Sequence, residues 1–365
     1  MSFLKAVAAL LLLAASAASA ETVFKTDIVF PHKSFGRPHG ASMVEVKNGG
    51  ILASWFSASA ETKSDAEIYG SFWDGAGNWS KPFTIIPNTY TKSVGNTALF
   101  RDDDGLVWMF FAAVRFGGWS GAMVDYVTSR DDGKTWSDGK NLVAWPGNLP
   151  RNPPVKVGDH LMLVPLFVDF WYEADIVGSY TALIKYQDGK VLEKTYVTLD
   201  DSDSIQPALI PLKDGRILML TRDKSDRFIR RSYSKDGGKS WSPASMTTLP
   251  NPGAGICAMH VKELDAVLVA YNHSRKGRNP LSLAISFDGG STFKRIANLE
   301  YRPGEDSAAF DYPAMLRTGD GLIHVLWTHD DRATLKHAMF NVEWLSKTAG
   351  NPNLNVPVAE TANGK

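Results

Sequence analysis

Apolar residues come in six short bursts along the chain: ILASWF from Ile51, LVWMFF from Leu106, HLMLVPLF from His160, RILMLTR from Arg216, AVLVAYNH from Ala266 and LIHVLWTH from Leu322. Each burst follows a turn signal: Asn48-Gly49-Gly50, Asp104-Gly105, Gly158-Asp159, Asp214-Gly215, Leu264-Asp265 and Gly319-Asp320-Gly321. Apolar runs this short, bounded by turn residues, read as buried strands. The step between them is roughly 50–56 residues, the length of one four-stranded propeller blade. Six signals predict six blades. Helical periodicity of useful length is absent after the first twenty residues, and 31 glycines and 19 prolines suit a chain of short strands and turns. The predicted fold is all-β, a six-bladed β-propeller over residues 21–345, followed by a loose polar tail over 346–365.

A second repeat runs in step with the first. Ser129-Arg-Asp131-Asp-Gly133-Lys-Thr135-Trp136, Ser234-Lys-Asp236-Gly-Gly238-Lys-Ser240-Trp241 and Ser286-Phe-Asp288-Gly-Gly290-Ser-Thr292-Phe293 are near-copies of one phrase. A degenerate copy spans Ser71 to Trp79, and a decayed one is expected near Lys185-Tyr-Gln-Asp188-Gly189. The phrase makes sense as a hairpin turn: the carboxylate accepts backbone N–H bonds, Gly takes the positive-φ position and the final aromatic packs beneath. These aspartates are assigned a structural role. Chemistry is expected at the other end of the ring, where loops between strands converge on the central channel.

A formal net charge of +0 predicts no nucleic-acid or membrane partner from bulk electrostatics, so an anionic ligand has to be held by local arginines. Lys5, the apolar run over 6–15 and Ala18-Ser19-Ala20 read as a signal peptide over 1–20, too short to span a membrane. The chain is therefore expected to be exported, periplasmic or secreted, and to act as a monomer. The lone Cys257 has no partner for an internal disulfide. His260, His273, His324, His329 and His337 lack metal-ligand spacing, and neither a phosphate loop nor a Gly-x-Ser-x-Gly elbow occurs. No cofactor or metal is implied.

From about Ser34 to Phe340 the chain resembles the sialidase (neuraminidase) superfamily, specifically its bacterial propellers. The resemblance implies roles for individual residues. Tyr312, in Phe310-Asp-Tyr312-Pro-Ala-Met before the last turn signal, stands where sialidases carry their nucleophile. A neutral phenol can approach an anomeric centre beside a carboxylate without like-charge repulsion. Arg222 and Arg278 match the second and third arginines that hold the substrate carboxylate, a role suited to the guanidinium fork. The first arginine is missing: in Phe35-Gly-Arg37-Pro38-His39-Gly40, Pro38 or its neighbour takes its place, His39 is presented instead, and Arg37 is the remaining candidate. Gln206 stands where a Glu assists the nucleophile, and an amide cannot accept the phenol's proton. Asp65 is the first choice for the acid and Glu61 the second. Trp119 and Arg151-Asn152 are further pocket candidates.

Two reactions fit this set. One is a sialidase-like exo-glycosidase releasing a terminal acidic sugar, with Arg222 and Arg278 on the carboxylate, Tyr312 as nucleophile and Asp65 as acid. The other is a polysaccharide lyase in which His39 and Tyr312 move protons beside a uronic acid. A non-catalytic glycan-binding propeller is the third reading. In each, the partner is an acidic glycan.

Overall fold

The computed structural model describes residues 21–31, 34–169, 178–225 and 227–350. Six antiparallel sheets are arranged as the blades of a propeller. Blade one consists of His39–Glu45, Ile51–Ser57, Glu67–Trp73 and Phe83–Ile86, from the channel outwards. Blade two comprises Ser93–Arg101, Val107–Val114, Ala122–Ser129 and Lys140–Val143. In blade three the inner strand is split into Asn148–Pro150 and Val155–Gly158, both paired with Leu161–Val168, before Gly178–Gln187 and Lys190–Thr198. Blade four runs Ser204–Pro211, Ile217–Asp223, Phe228–Ser234 and Ser245–Pro250, and blade five Cys257–Val261, Ala266–Asn272, Leu281–Ser286 and Lys294–Glu300.

Blade six closes the ring. Asp311–Arg317, Ile323–His329 and Thr334–Phe340 come from the end of the chain, and Phe24–Ile28 from its beginning pairs with Thr334–Phe340 in the register Phe24↔Phe340. The six apolar bursts are the second strands of the six blades. Ile51–Ser57 and Val107–Val114 are buried at every position, because blades stack on both of their faces.

The Ser-x-Asp turns join third to fourth strands, at the end away from the channel mouth. Asp288 accepts from Ser286 Oγ at 2.7 Å, Thr292 N at 2.9 Å and Thr292 Oγ1 at 2.6 Å. Asp131 and Asp236 repeat the arrangement. Asp188-Gly189 forms the turn between the corresponding strands of blade three. One expectation is corrected at the C-terminus. Residues Val342–Gly350 form an α-helix, so the first part of the stretch read as a loose tail is helical. Leu345 is buried and Trp344 stacks on Phe24 at 4.7 Å, which gives the helix a packed face.

Candidate active site

Two kinds of segment converge on the channel mouth: the starts of the inner strands and the hairpins joining second to third strands. Together they surround a cavity of about 320 Å³ to which all six blades contribute. The inner strands of blades four and six carry the same device. Register slips between Ile205 and Ala208, and again between Asp311 and Ala314, leaving Gln206-Pro207 and Tyr312-Pro313 as bulges. Gln206 and Tyr312 take φ of 55° and 49°, left-handed conformations that cost a non-glycine residue about 1–3 kcal/mol. Blade one repeats the slip between His39 and Ser42, with Gly40 at φ 62° in the matching position. There a Cβ would lie 2.5 Å from Asn96 Oδ1, so glycine is required and His39 lines the cavity instead.

Tyr312 is the centre of the site. Gln206 Nε2 and Arg222 Nη1 each donate to Tyr312 Oη at 3.1 Å. Burial opposes ionisation of the phenol, yet the Arg222 and Arg278 guanidinium groups and the Gln206 bond outweigh it and hold its pKa below the ordinary value. His39 is buried with its ring centroid 4.0 Å from that of Tyr312, and its Nδ1 is 3.3 Å from Thr328 Oγ1. Burial, followed by the charges of Arg332, Arg278, Arg151 and Arg222, keeps its pKa well below the usual histidine value. The imidazole is therefore neutral at pH 7.

Arg278 Nη1 donates to Asp311 Oδ1 at 2.7 Å, and Arg332 Nε to Asp311 Oδ2 at 3.2 Å, so one buried carboxylate sets two guanidinium groups side by side. Arg222 has no carboxylate partner among the described residues, and its Nε and Gln206 Oε1 are buried without a protein partner. A guanidinium with no acidic partner is chemically able to pair with a carboxylate.

Of the residues singled out from the sequence, Tyr312, His39, Gln206, Arg222, Arg278 and Trp119 line this cavity together. Three expectations are corrected. Asp65 is exposed and accepts from the Ser59 backbone N–H at 3.0 Å, stapling its own loop, while Glu61 lines the cavity. Glu61 accepts from Arg332 Nη1 and from Trp119 Nε1 at 3.1 Å; burial pushes its carboxyl up, but the Arg332 bond and charge prevail and its pKa is lowered. Arg37 is exposed and outside the cavity. Arg151 is fully buried beneath the cavity rather than lining it. Arg332 was not singled out from the sequence. Its signal was topological: the same hairpin supplies Glu61 in blade one, Trp119 in blade two and Arg278 in blade five.

A six-bladed propeller with a tyrosine set among arginines at its channel mouth defines a protein of the sialidase superfamily. A family model described as a BNR repeat-like domain matches residues 49–325, and the chain belongs to that family. The sialidase of Paraclostridium sordellii is 21% identical over 217 residues, covering 57% of this chain and 43% of that protein. The chain thus matches less than half the length of that relative. Among solved structures, the Hadza microbial sialidase Hz136 superposes with a TM-score of 0.69 at 16% identity, covering 85% of this chain and 66% of that one. A protein of unknown function from Dyadobacter fermentans gives 0.71 at 14% identity, covering 87% and 99%. The intramolecular trans-sialidase from Ruminococcus gnavus, in complex with oseltamivir carboxylate, gives 0.68 at 14% identity, covering 87% and 97%. At these identities the structural likeness shows the fold.

Proposed function

We propose that the protein is an exported exo-acting glycosidase of the sialidase type, which releases a terminal sugar bearing a carboxylate. The observation that carries this reading is Tyr312 Oη receiving two N–H donors inside an arginine-lined cavity. A volume of about 320 Å³ suits one sugar ring, which favours attack at a chain end. Arg222 and Arg278 bind the carboxylate through paired charge-assisted bonds. The amide of Gln206 cannot take the phenol's proton, but the Arg222 and Arg278 charges and the Gln206 N–H favour the phenolate, and the neutral His39 packed against the ring takes the proton as Tyr312 attacks. Glu61 replaces Asp65 as the carboxyl available to protonate the leaving oxygen. Arg332 holds it ionised in the free protein. A ligand carboxylate held by Arg278 lies beside Arg332 and offsets its charge, which raises the Glu61 pKa so that Glu61 takes up a proton from solvent and then gives it to the leaving oxygen.

A second reading is favoured by one observation, the neutral and buried His39 against Tyr312. A neutral imidazole able to take the proton at C5 and a phenol O–H able to protonate the leaving oxygen, beside an arginine-bound uronate, are the parts of a β-eliminating lyase.

Incubation of the purified protein with sialosides and with uronate-containing glycans separates the two, by free sialic acid on one side and ultraviolet absorbance of an unsaturated uronate on the other. Under the glycosidase reading, Tyr312→Phe abolishes turnover, His39→Ala is the milder change, and a fluorinated sialic-acid analogue labels Tyr312. Under the lyase reading both variants lose on the order of 10²–10⁴ in rate and no adduct forms. Binding of acidic sugars without release of either product would leave a glycan-binding protein.

A further inference from the structure

The interruption in the inner strand of blade three places two side chains under the floor of the site. Between Asn148–Pro150 and Val155–Gly158 lie Arg151, Asn152, Pro153 and Pro154, and the two prolines have no N–H to give to the sheet. Released from the ladder, Arg151 and Asn152 reach across to three other blades. Arg151 Nη1 donates to the Ala41 carbonyl at 3.0 Å, behind the His39 bulge, and Nη2 donates to the Pro313 carbonyl at 2.8 Å, directly after Tyr312. Asn152 Nδ2 donates to the carbonyls of Gln206 and Pro207 at 3.3 and 3.0 Å. One dipeptide therefore fixes the bulges of blades one, four and six.

Arg151 also carries charge where charge is costly. It is 1% exposed, and no carboxylate pairs with it among the described residues. The groups able to bear a negative charge against it are the Tyr312 phenol and the Cys257 thiol. Burial pushes the Cys257 thiol pKa up and keeps it neutral, which leaves the phenol. The Arg151 Cζ lies 5.1 Å from the Tyr312 ring centroid, within cation–π range, and the attraction grows when the ring becomes a phenolate.

We propose that Arg151 is a positioning residue for Tyr312: its planar fork locks the Tyr312 and His39 bulges in register, and its uncompensated charge beneath the ring favours the phenolate. This rests on Tyr312 as the reactive group. Arg151→Gln keeps a donor for one carbonyl and removes the charge, whereas Arg151→Lys keeps the charge and loses the fork.

The test is a pH titration of the full chain labelled with carbon-13 at tyrosine Cζ, with the Tyr312 resonance assigned by its loss in Tyr312→Phe. Arg151→Gln is expected to raise the Tyr312 pKa, and Arg151→Lys to leave it closer to wild type than Arg151→Gln does. On the substrate, Arg151→Gln is expected to lower kcat about 10- to 100-fold with KM within about 3-fold. An unshifted Tyr312 titration in Arg151→Gln, with or without a lower Tm, overturns the proposal and leaves Arg151 a structural strut. Should Arg151→Gln fail to fold, Arg151→Lys carries the test, because its ammonium cannot span both carbonyls in one plane. In that case a Tyr312 resonance superimposable on wild type together with an unchanged kcat, showing that loss of the fork moves nothing, overturns the proposal. The titration needs no substrate, so absence of turnover on sialosides sinks the functional reading without touching this one.

Discussion

In the proposed reaction Arg222 is the residue on which recognition of the carboxylate turns. Its guanidinium donates to Tyr312 Oη and otherwise faces the cavity with no acidic partner among the described residues. Arg278, in contrast, is anchored by Asp311. Arg222→Ala should weaken binding of an acidic sugar by about 2–5 kcal/mol, the range for removing one partner of a desolvated charge pair. It should also raise the Tyr312 pKa, since the Arg222 charge is the largest influence lowering it. A carboxylate-reduced analogue measured by calorimetry should lose far less affinity; equal losses for both ligands would mean that the site does not recognise the carboxylate. Tyr312 and Gln206 were singled out through resemblance to the superfamily, each standing before a proline ahead of a strong turn signal. Arg332 was not, since an arginine in the polar turn His329-Asp-Asp-Arg332 looks like any solvated hairpin. Asp65 and Glu61 share one loop, and only the fold shows which carboxylate caps the loop and which faces the cavity.

The Ser-x-Asp hairpins act one level up, between blades. The Gly of each turn lies against the second strand of the preceding blade: a Cβ on Gly133 would meet Leu52 Cδ2 at 2.3 Å, one on Gly238 would meet Leu163 Cδ1 at 2.3 Å, and one on Gly290 would meet Leu218 Cδ2 at 2.4 Å. The aspartates have pKa values held down to about 2 by turn donors, led by Thr135 at Asp131 and Ser240 at Asp236; at Asp288 the Thr292 bonds prevail over burial. None of them approaches the cavity. Gly290→Ala combines a φ of 90° with an inter-blade clash, so it should cost about 2–4 kcal/mol in urea denaturation. Gly215→Asn, at φ 85° with nothing within 4 Å, should cost much less. Comparable losses would show that backbone conformation alone, and not packing on the neighbouring blade, fixes the glycine. The same stacking explains why second strands were the most readable elements: buried on both faces, they are written as unbroken apolar runs. Outer strands such as Lys190–Thr198, largely exposed, carry no such signature.

For the whole molecule the decisive contact is the seam where the first strand joins the last blade. Alongside the strand pairing, a buried polar chain crosses it: His324 Nδ1 lies 2.9 Å from His337 Nε2, and His337 Nδ1 lies 3.1 Å from both oxygens of Asp27 on the first strand. Trp79 of blade one donates to Asp27 Oδ1 at 2.7 Å, and His324 Nε2 lies 3.2 Å from Thr318 Oγ1, itself bonded to Asp320. The seam therefore ties blade one, blade six and the first strand into one network. Burial, then the neighbouring His337, pulls the His324 pKa down to about 3, because a cation there would be stripped of its water. In the unfolded chain the same histidine titrates near 6.5. Between about pH 6.5 and 3 the unfolded chain then binds more protons than the folded one, so this stabilisation is complete above pH 6.5 and is lost as pH falls. His39 titrates in the same direction, so the wild-type protein should lose stability in acid from more than one group. His324→Asn keeps a donor near the Nδ1 position and removes the titration. Its stability at pH 7.5 should be lower, since a buried ring is lost, but its decline from pH 6.5 to 4.5 should be shallower by roughly 1 kcal/mol per pH unit. Urea denaturation at a series of pH values measures both slopes; parallel curves would mean that the His324 proton plays no part in holding the ring closed.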